Sequence, residues 1–488
     1  MFSLRYLVGV GLLAGTTFAQ GNITPTSSQV VTYPIPAGVL TNPSFNISVK
    51  DQDGRWRGLD AYLVTLNLIN TTTGAGMIHN SSMAYLDFSG PIEVSLTYNN
   101  GRVASSRVRP DSYGIVPEIQ GNNNIKFTMT EPRNLMVEVN GDIFNCLHLL
   151  ANTIENDVPP ADDENTIYFG PGAHTITGGV LSVPSGNTVY LAGGAVLNGG
   201  IEFVNVSNSV IRGRGVLYHT SGHAVLIESS NNITIDGITV LNPSHYAVLA
   251  GEASDFTIRG LRAFSSAGNG DGIDLFCCQN VLVDGVFMRN SDDNIAIYNH
   301  RWGYYGNTSN ITIKDSSLWA DVAHPINIGT HGNTDDPETM DGITITNIDI
   351  LDHREPQMDY QGCIALNPGD SNLIQNVYIE DVRVEDFREG QLVNMRVMFD
   401  ASYNTSPGRG IANVTIKNLS YNGTHANPSI FVGYDEGRTI SGVTFENLVI
   451  NGKQISDTMH KPAWYLASDF VPMFANEHVV GLLFNATG

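Results

Sequence analysis

A short pattern recurs along the second two-thirds of the chain: Asn, Gly or Asp, then alternating apolar and polar residues, then Gly, Asn or Asp. It stands as Asn232-Ile-Thr-Ile-Asp-Gly237, Asp255-Phe-Thr-Ile-Arg-Gly260 and Asn280-Val-Leu-Val-Asp-Gly285, with an earlier copy at Asn208. Later copies begin at Asn310, Gly342, Asn376, Asn413 and Gly442. Alternation marks a strand with one buried face. The flanking Gly, Asn and Asp tolerate the left-handed backbone of tight turns. The early copies start 24, 23 and 25 residues apart. That is too short for a four-stranded propeller blade. It fits one coil of a right-handed parallel β-helix with three short strands per turn. Later gaps widen to about 30 residues or more, which places inserted loops there.

Residues 20–160 lack the repeat. Runs such as Phe45-Asn-Ile-Ser-Val49, Ile92-Glu-Val-Ser-Leu-Thr-Tyr98 and Leu135-Met-Val-Glu-Val139 alternate between turns and predict an antiparallel β-sandwich. Residues 152–166, with Pro159-Pro160 and Asp162-Asp163-Glu164, read as a polar linker. The expected fold is all-β: a sandwich over 20–160, then a parallel β-helix over 161–488. A sandwich in that place would cover the first coil, since solenoid ends need covering.

Residues 1–19 read as a secretory signal, with Arg5, an apolar stretch from Leu7 to Ala14, and a small-residue site at Thr17-Phe18-Ala19. About a dozen Asn-x-Ser/Thr sequences follow, among them Asn22, Asn46, Asn70, Asn205, Asn232, Asn307, Asn310, Asn413 and Asn485. A secreted glycoprotein is expected, and a monomer. The net charge of −23 argues against nucleic acid and anionic membrane as partners. Four cysteines (Cys146, Cys277, Cys278 and Cys363) permit two disulfides in three pairings. Cys277 and Cys278 would point to opposite faces of a strand, leaving one as a buried small hydrophobe. Neither a structural zinc nor another cofactor is expected, because no metal-ligand spacing is present.

Four acids interrupt this apolar repeat within a few dozen residues. Asp271 and Asp274 stand in Asn269-Gly-Asp271-Gly-Ile-Asp274, and Asp292 and Asp293 in Ser291-Asp-Asp-Asn-Ile-Ala-Ile297. Carboxyl groups against apolar strands can have their pKa values pushed apart, giving one proton donor and one acceptor. Glycosidic-bond hydrolysis needs that pair. Asp271 and Asp292 are 21 residues apart, close to one coil, and are expected to stack. His324 on the next coil could fix the protonation of a neighbouring carboxyl. Tyr298, His300, Trp302, Tyr304 and Tyr305 follow the acid pair and could stack on sugar rings.

These blocks resemble the glycoside hydrolases of families 28 and 49, the polygalacturonase-type and dextranase-type enzymes. Asn269-Gly-Asp271-Gly stands for the first family's Asn-Thr-Asp-Gly. Asp292-Asp293-Asn-Ile-Ala296 stands for its Asp-Asp-Cys-Ile-Ala, and His324-Pro-Ile-Asn327-Ile-Gly329 for its Gly-His-Gly and Ser-Ile-Gly blocks. The resemblance implies a right-handed β-helix and an inverting hydrolysis. It implies Asp292 as general acid, Asp271 and Asp293 as water activators, and His324 beside them. Asn269, Asp274, Tyr298, Trp302 and Asn327 are the implied substrate-binding residues. Polygalacturonases also carry an Arg-Ile-Lys strand that grips the substrate carboxylate. The matching strand, Gly362-Cys-Ile-Ala-Leu366, is expected to be apolar at both basic positions, with Arg354 and Arg396 as possible substitutes. Arg107-Val-Arg109, Glu131-Pro-Arg-Asn134 and Val189-Tyr-Leu-Ala-Gly-Gly-Ala195 resemble the dextranase and isopullulanase group. A neutral α-glucan such as dextran or pullulan is therefore the expected substrate. A pectin hydrolase, a non-catalytic glycan binder and a calcium-dependent lyase are the alternatives. The lyase would need a basic proton abstractor beside the acids.

Overall fold

The computed structural model describes residues 29–69, 75–460 and 471–486. The leader expected over 1–19 and the sequences at Asn22 and Asn70 lie outside them. Among the described residues the regular structure is strand, apart from 3-10 turns at Asp111–Tyr113 and Met358–Tyr360. No described helix is long and apolar enough to cross a membrane.

Strands up to Asn152 form two sheets. One holds Gln29–Thr32, Tyr62–Ile69, Gly76–Ser89, Ser106–Arg109, Leu135–Val139 and Asp142–Asn152. The other holds Phe45–Lys50, Trp56–Leu59, Ile92–Tyr98, Glu118–Gln120 and Asn124–Met129. Every second residue of Ile92–Tyr98 is buried. Val94 and Leu96 share one apolar core with Val137 and Leu149 of the opposite sheet, so this is a β-sandwich.

The first of these sheets is covered on its other face too. Tyr62, Met83, Met136 and Phe144 pack with Val216, Leu241, Phe264 and Trp319 from successive coils. The sequence reading expected a cover on the first coil. The apolar outer flank of the solenoid makes a longer interface instead. Two buried arginines in this interface are paired with carboxylates, as a low-dielectric setting favours. Arg109 donates to Glu138 (2.7 Å) and Glu385 (2.6 Å), and Arg289 to Asp321 (3.1 Å).

From Thr166 onward the strands pair in parallel with their counterparts on the next coil, apart from Lys453–Ile455, which pairs antiparallel with Leu448–Ile450. Ile273–Phe276 lies between Val248–Gly251 and Ile295–Tyr298, followed by Ile326–Gly329, Ile364–Asn367 and Val393–Arg396. Ile273, Ile295, Ile326, Ile364 and Val393 stack inward in one core. Asn208, Asn232, Asp255, Asn280 and Asn310 take left-handed backbone at the turns. Their side chains form a ladder: Asn232 donates to Asn208 (2.7 Å), Asn280 to Asp255 (2.8 Å) and Asn310 to Asn280 (2.9 Å). Asn is thus selected twice, for its backbone tolerance and for its amide.

The four cysteines are free and buried, so neither of the two permitted disulfides forms. Cys278 faces into the solenoid core and Cys277 faces out, as strand alternation requires. Cys363 is a core residue and Cys146 sits under the sandwich.

Candidate active site

The acids lie at the entry to the outward-facing strands. Pairing runs Val248, Ile273, Ile295, Ile326. Two residues earlier, the same register stacks Tyr246, Asp271, Asp293 and His324. Backbone bonds continue the ladder there, from Ala247 N–H to the Asp271 carbonyl (2.9 Å) and from Gly272 N–H to the Asp293 carbonyl (2.8 Å). Asn294 N–H extends it to the His324 carbonyl (2.8 Å). Asp271 therefore stacks on Asp293, not on Asp292 as the spacing suggested. The coil is one residue longer than that separation, and a single step exchanges the partner. Asp292 flanks the stack. Carboxyl oxygens of Asp271, Asp292 and Asp293 still lie within 4.8 Å of one another.

Asp293 is held from every side. Its Oδ1 accepts from the His324 N–H (2.9 Å) and lies 2.7 Å from His324 Nδ1. Its Oδ2 accepts from Asn327 Nδ2 (2.8 Å) and from the Tyr298 hydroxyl (3.2 Å). Burial disfavours the charge, but His324 and these bonds outweigh it and hold the Asp293 carboxyl below its ordinary range. The reciprocal effect acts on His324. Burial opposes its charge, yet Asp293 lifts it to about 9. An imidazolium–carboxylate pair results.

The other three acids are pushed the opposite way. Burial, then the Asp293 charge, raises Asp292 to about 7. Burial, with Asp274 and Asp292 nearby, holds Asp271 well above the carboxylate range. Asp274 is 0 % exposed, and neither of its oxygens has a hydrogen-bond partner. Burial first, then Asp293, raises it strongly too. One oxygen of Asp271 is also unpartnered. The cluster thus combines one carboxylate whose charge is held by its partners with three whose protonated forms burial favours. A single water about 2.8 Å from each of two oxygens would bridge a gap of this size.

The remaining expected residues take separate places. Asn327 is buried beside Asp293, with its Oδ1 unpartnered. Tyr298 lies beneath the acids and Asn269 is exposed at a left-handed turn. Trp302 is 49 % exposed at the cleft rim. His300 stacks on Tyr305, while the Tyr304 hydroxyl donates to Glu228 (2.6 Å). On the strand expected to replace Arg-Ile-Lys, Cys363, Ile364 and Leu366 face the core, and Ala365 and Asn367 occupy the outward positions. The second outward position is therefore an amide, not the apolar side chain expected. Arg354 is buried against Glu389 (3.7 Å). Arg396 donates to the Asp359 carbonyl (2.9 Å).

Of three further contributors, Tyr360 and Arg301 carried no signal in the sequence, while His245-Tyr246 reads as an earlier-coil pair within reach of the cleft but is expected to pack. The Tyr360 hydroxyl accepts from Asn327 (3.0 Å), and its carbonyl takes a hydrogen bond from His324 Nε2. Tyr246 lies on the coil before Asp271. Arg301 acts on both Asp274 and Tyr246 from the loop after Ile295–Tyr298, and its Nη1 meets His331 Nε2 (2.9 Å). Each reaches the site by a loop or a coil register that only the folded chain defines.

The model of the family described as "Glycosyl hydrolases family 28" matches residues 178–464. A probable endopolygalacturonase D of Neosartorya fischeri is 23% identical over 56% of this chain, and the match spans 53% of that protein. The chain thus spans about half the length of that relative. The isopullulanase of Aspergillus niger is 22% identical over 86% of this chain and 87% of its own length. Among solved structures, Dex49A from Penicillium minioluteum superposes with a TM-score of 0.64 at 14% identity, covering 93% of this chain and 96% of that one. At that identity the likeness is one of fold.

Proposed function

The chain belongs to family 28 of the glycosyl hydrolases and is a glycoside hydrolase; from that premise we propose an inverting enzyme that cleaves α-linked neutral glucans of the dextran or pullulan type. The observation that carries the substrate is the outward pair Ala365 and Asn367, which offers no cation for a uronate carboxylate. Burying such a carboxylate without a partner would be costly. The match to an isopullulanase over 86% of this chain supports the same reading. We also propose export by the leader over 1–19, with the sandwich over 20–160 supporting a catalytic solenoid over 161–488.

In the proposed mechanism Asp292 protonates the departing glycosidic oxygen. Its elevated pKa, about 7, keeps a proton available. Asp271, in its ionised form, accepts a proton from the attacking water at its free Oδ1; burial disfavours that form and so makes it the stronger base. Asp293 is the fixed charge between them. Four hydrogen bonds occupy its oxygens, so it orients the site and stabilises positive charge at the anomeric carbon. In the reactive form the Asp271–Asp292 pair holds one proton, on Asp292.

A second reading, a pectin hydrolase, is supported by the match to an endopolygalacturonase and by one feature of the site. Arg301 stands near the acids and makes no ion pair among the described residues. Reducing-sugar release from dextran, pullulan and polygalacturonate separates the two. Release from a neutral glucan is expected. Release from polygalacturonate alone would overturn the substrate assignment.

A further inference from the structure

Beside the acids lies a group of rings that the mechanism does not use. Two coils run up to Asp271, and their registers stack His223 on Tyr246 and Tyr246 on Asp271. Backbone bonds from Ala224 N–H to the Tyr246 carbonyl (3.1 Å) and from Ala247 N–H to the Asp271 carbonyl (2.9 Å) hold this alignment. His245 flanks the stack, with its ring 4.6 Å from His223 and 4.1 Å from Tyr246. Trp302 reaches over them from a different loop. Its ring lies parallel to Tyr246, 6.0 Å away at 11°.

Two features mark this group as built for a ligand. The Nδ1 atoms of His223 and His245 are buried without a hydrogen-bond partner, although both rings are only partly covered. Buried polar atoms without partners are rare and call for a reason. The other feature is Trp302 itself. It sits at φ 53°, a left-handed conformation that favours glycine, inside the tight turn closed by Arg301 and Tyr304. A bulky side chain in strained backbone, half exposed beside candidate catalytic acids, suggests a functional use.

We propose that His223, His245, Tyr246 and Trp302 form a binding subsite for a neutral pyranose ring, one unit along the chain from the bond that is cut. Successive coils are about 4.8 Å apart, close to the advance of one sugar unit along a glucan. The exposed indole face suits the apolar face of a pyranose. A sugar hydroxyl both donates and accepts, so it satisfies either imidazole nitrogen in either tautomer. Burial, reinforced by His245, pulls His223 down to about 4, and burial lowers His245 as well, so both rings are neutral near pH 7. Asp271, Asp274, Glu228 and Glu252 stand on this arm of the cleft, and among the described residues Arg301, behind Trp302, is the cation that acts on Tyr246. That balance disfavours an anionic ring. The subsite rests on the neutral-glucan reading and makes it more specific.

The test separates binding from turnover. Full-length protein carrying Asp292→Asn is run through gels containing dextran, pullulan or polygalacturonate. Retardation by a neutral glucan is expected, and adding Trp302→Gly should weaken it by roughly tenfold in apparent affinity. The same Trp302→Gly change relieves the left-handed strain, so the melting temperature should hold or rise. A residue that merely packs would lower it. His245→Ala should weaken retardation, and His245→Asn, which keeps a polar atom near Nδ1, should recover part of it. Unchanged retardation in both Trp302→Gly and His245→Ala would overturn the subsite. So would retardation by polygalacturonate alone. Failure of the substrate reading shows separately, as an active enzyme that releases sugar from no neutral glucan.

Discussion

Two neighbouring carboxyl groups, Asp292 and Asp293, share one backbone turn and end in opposite protonation states. Asp293 has His324, Asn327 and Tyr298 on its oxygens, whereas Asp292 has burial and the Asp293 charge against it. Activity should therefore fall as pH rises through about 7, when Asp292 loses its proton. A pH–rate profile of kcat/KM checks this, and a flat profile across neutrality would refute it. Asp292→Asn should lower kcat by at least roughly a thousandfold with an unchanged melting temperature. Asp274 carries a prediction about stability. Its carboxyl ionises freely in the unfolded chain near the ordinary value of about 3.9 but stays protonated when folded. Between those two pKa values the unfolded state binds fewer protons, so Asp274 makes stability fall as pH rises. Asp274→Asn removes that slope. Melting curves should show it gaining on the parent at neutral pH and little in acid. An equal shift at both would show that Asp274 is ionised in the folded protein.

The repeating coil was legible in the sequence because its turn residues do a job that few others can. Asn280 needs both left-handed backbone and an amide that donates to Asp255. Asn280→Ala should cost about 1–2 kcal/mol in urea unfolding, from the strained backbone alone. A neutral substitution would mean that the ladder is decorative. The same pattern misled in one place. Spacing between Asp271 and Asp292 suggested a stack, but register is fixed by Ile273 over Ile295, which pairs Asp271 with Asp293. Core side chains set register, and the acids follow them. The inserted loops were least legible. Tyr360, Arg301 and the strained turn at Trp302 reach the site through contacts that no period in the sequence encodes.

At the scale of the whole molecule, sandwich and solenoid behave as one folded body. Phe264, Phe287 and Trp319 on the outer flank are buried only because Tyr62, Met136 and Phe144 cover them. Arg109 binds both Glu138 of the sandwich and Glu385 of the solenoid. Residues 161–488 expressed alone should therefore aggregate, since the uncovered flank is a contiguous apolar patch. Size-exclusion chromatography checks this, and a soluble, active fragment would contradict it. The sequence pointed to a sandwich but set it over the first coil alone, because the flank's apolar residues read as ordinary strand interior.

The central claim is that water attacks directly while Asp292 gives up its proton. Proton NMR of the first-formed product tests it most directly. Inversion, in which water attacks, and retention, in which a carboxylate attacks first, leave opposite configurations at the anomeric carbon. The two mechanisms therefore give opposite answers on an α-linked substrate. A β anomer appearing first and then mutarotating is the result this account predicts. An α anomer appearing first would mean that a carboxylate attacks the sugar, and would contradict it.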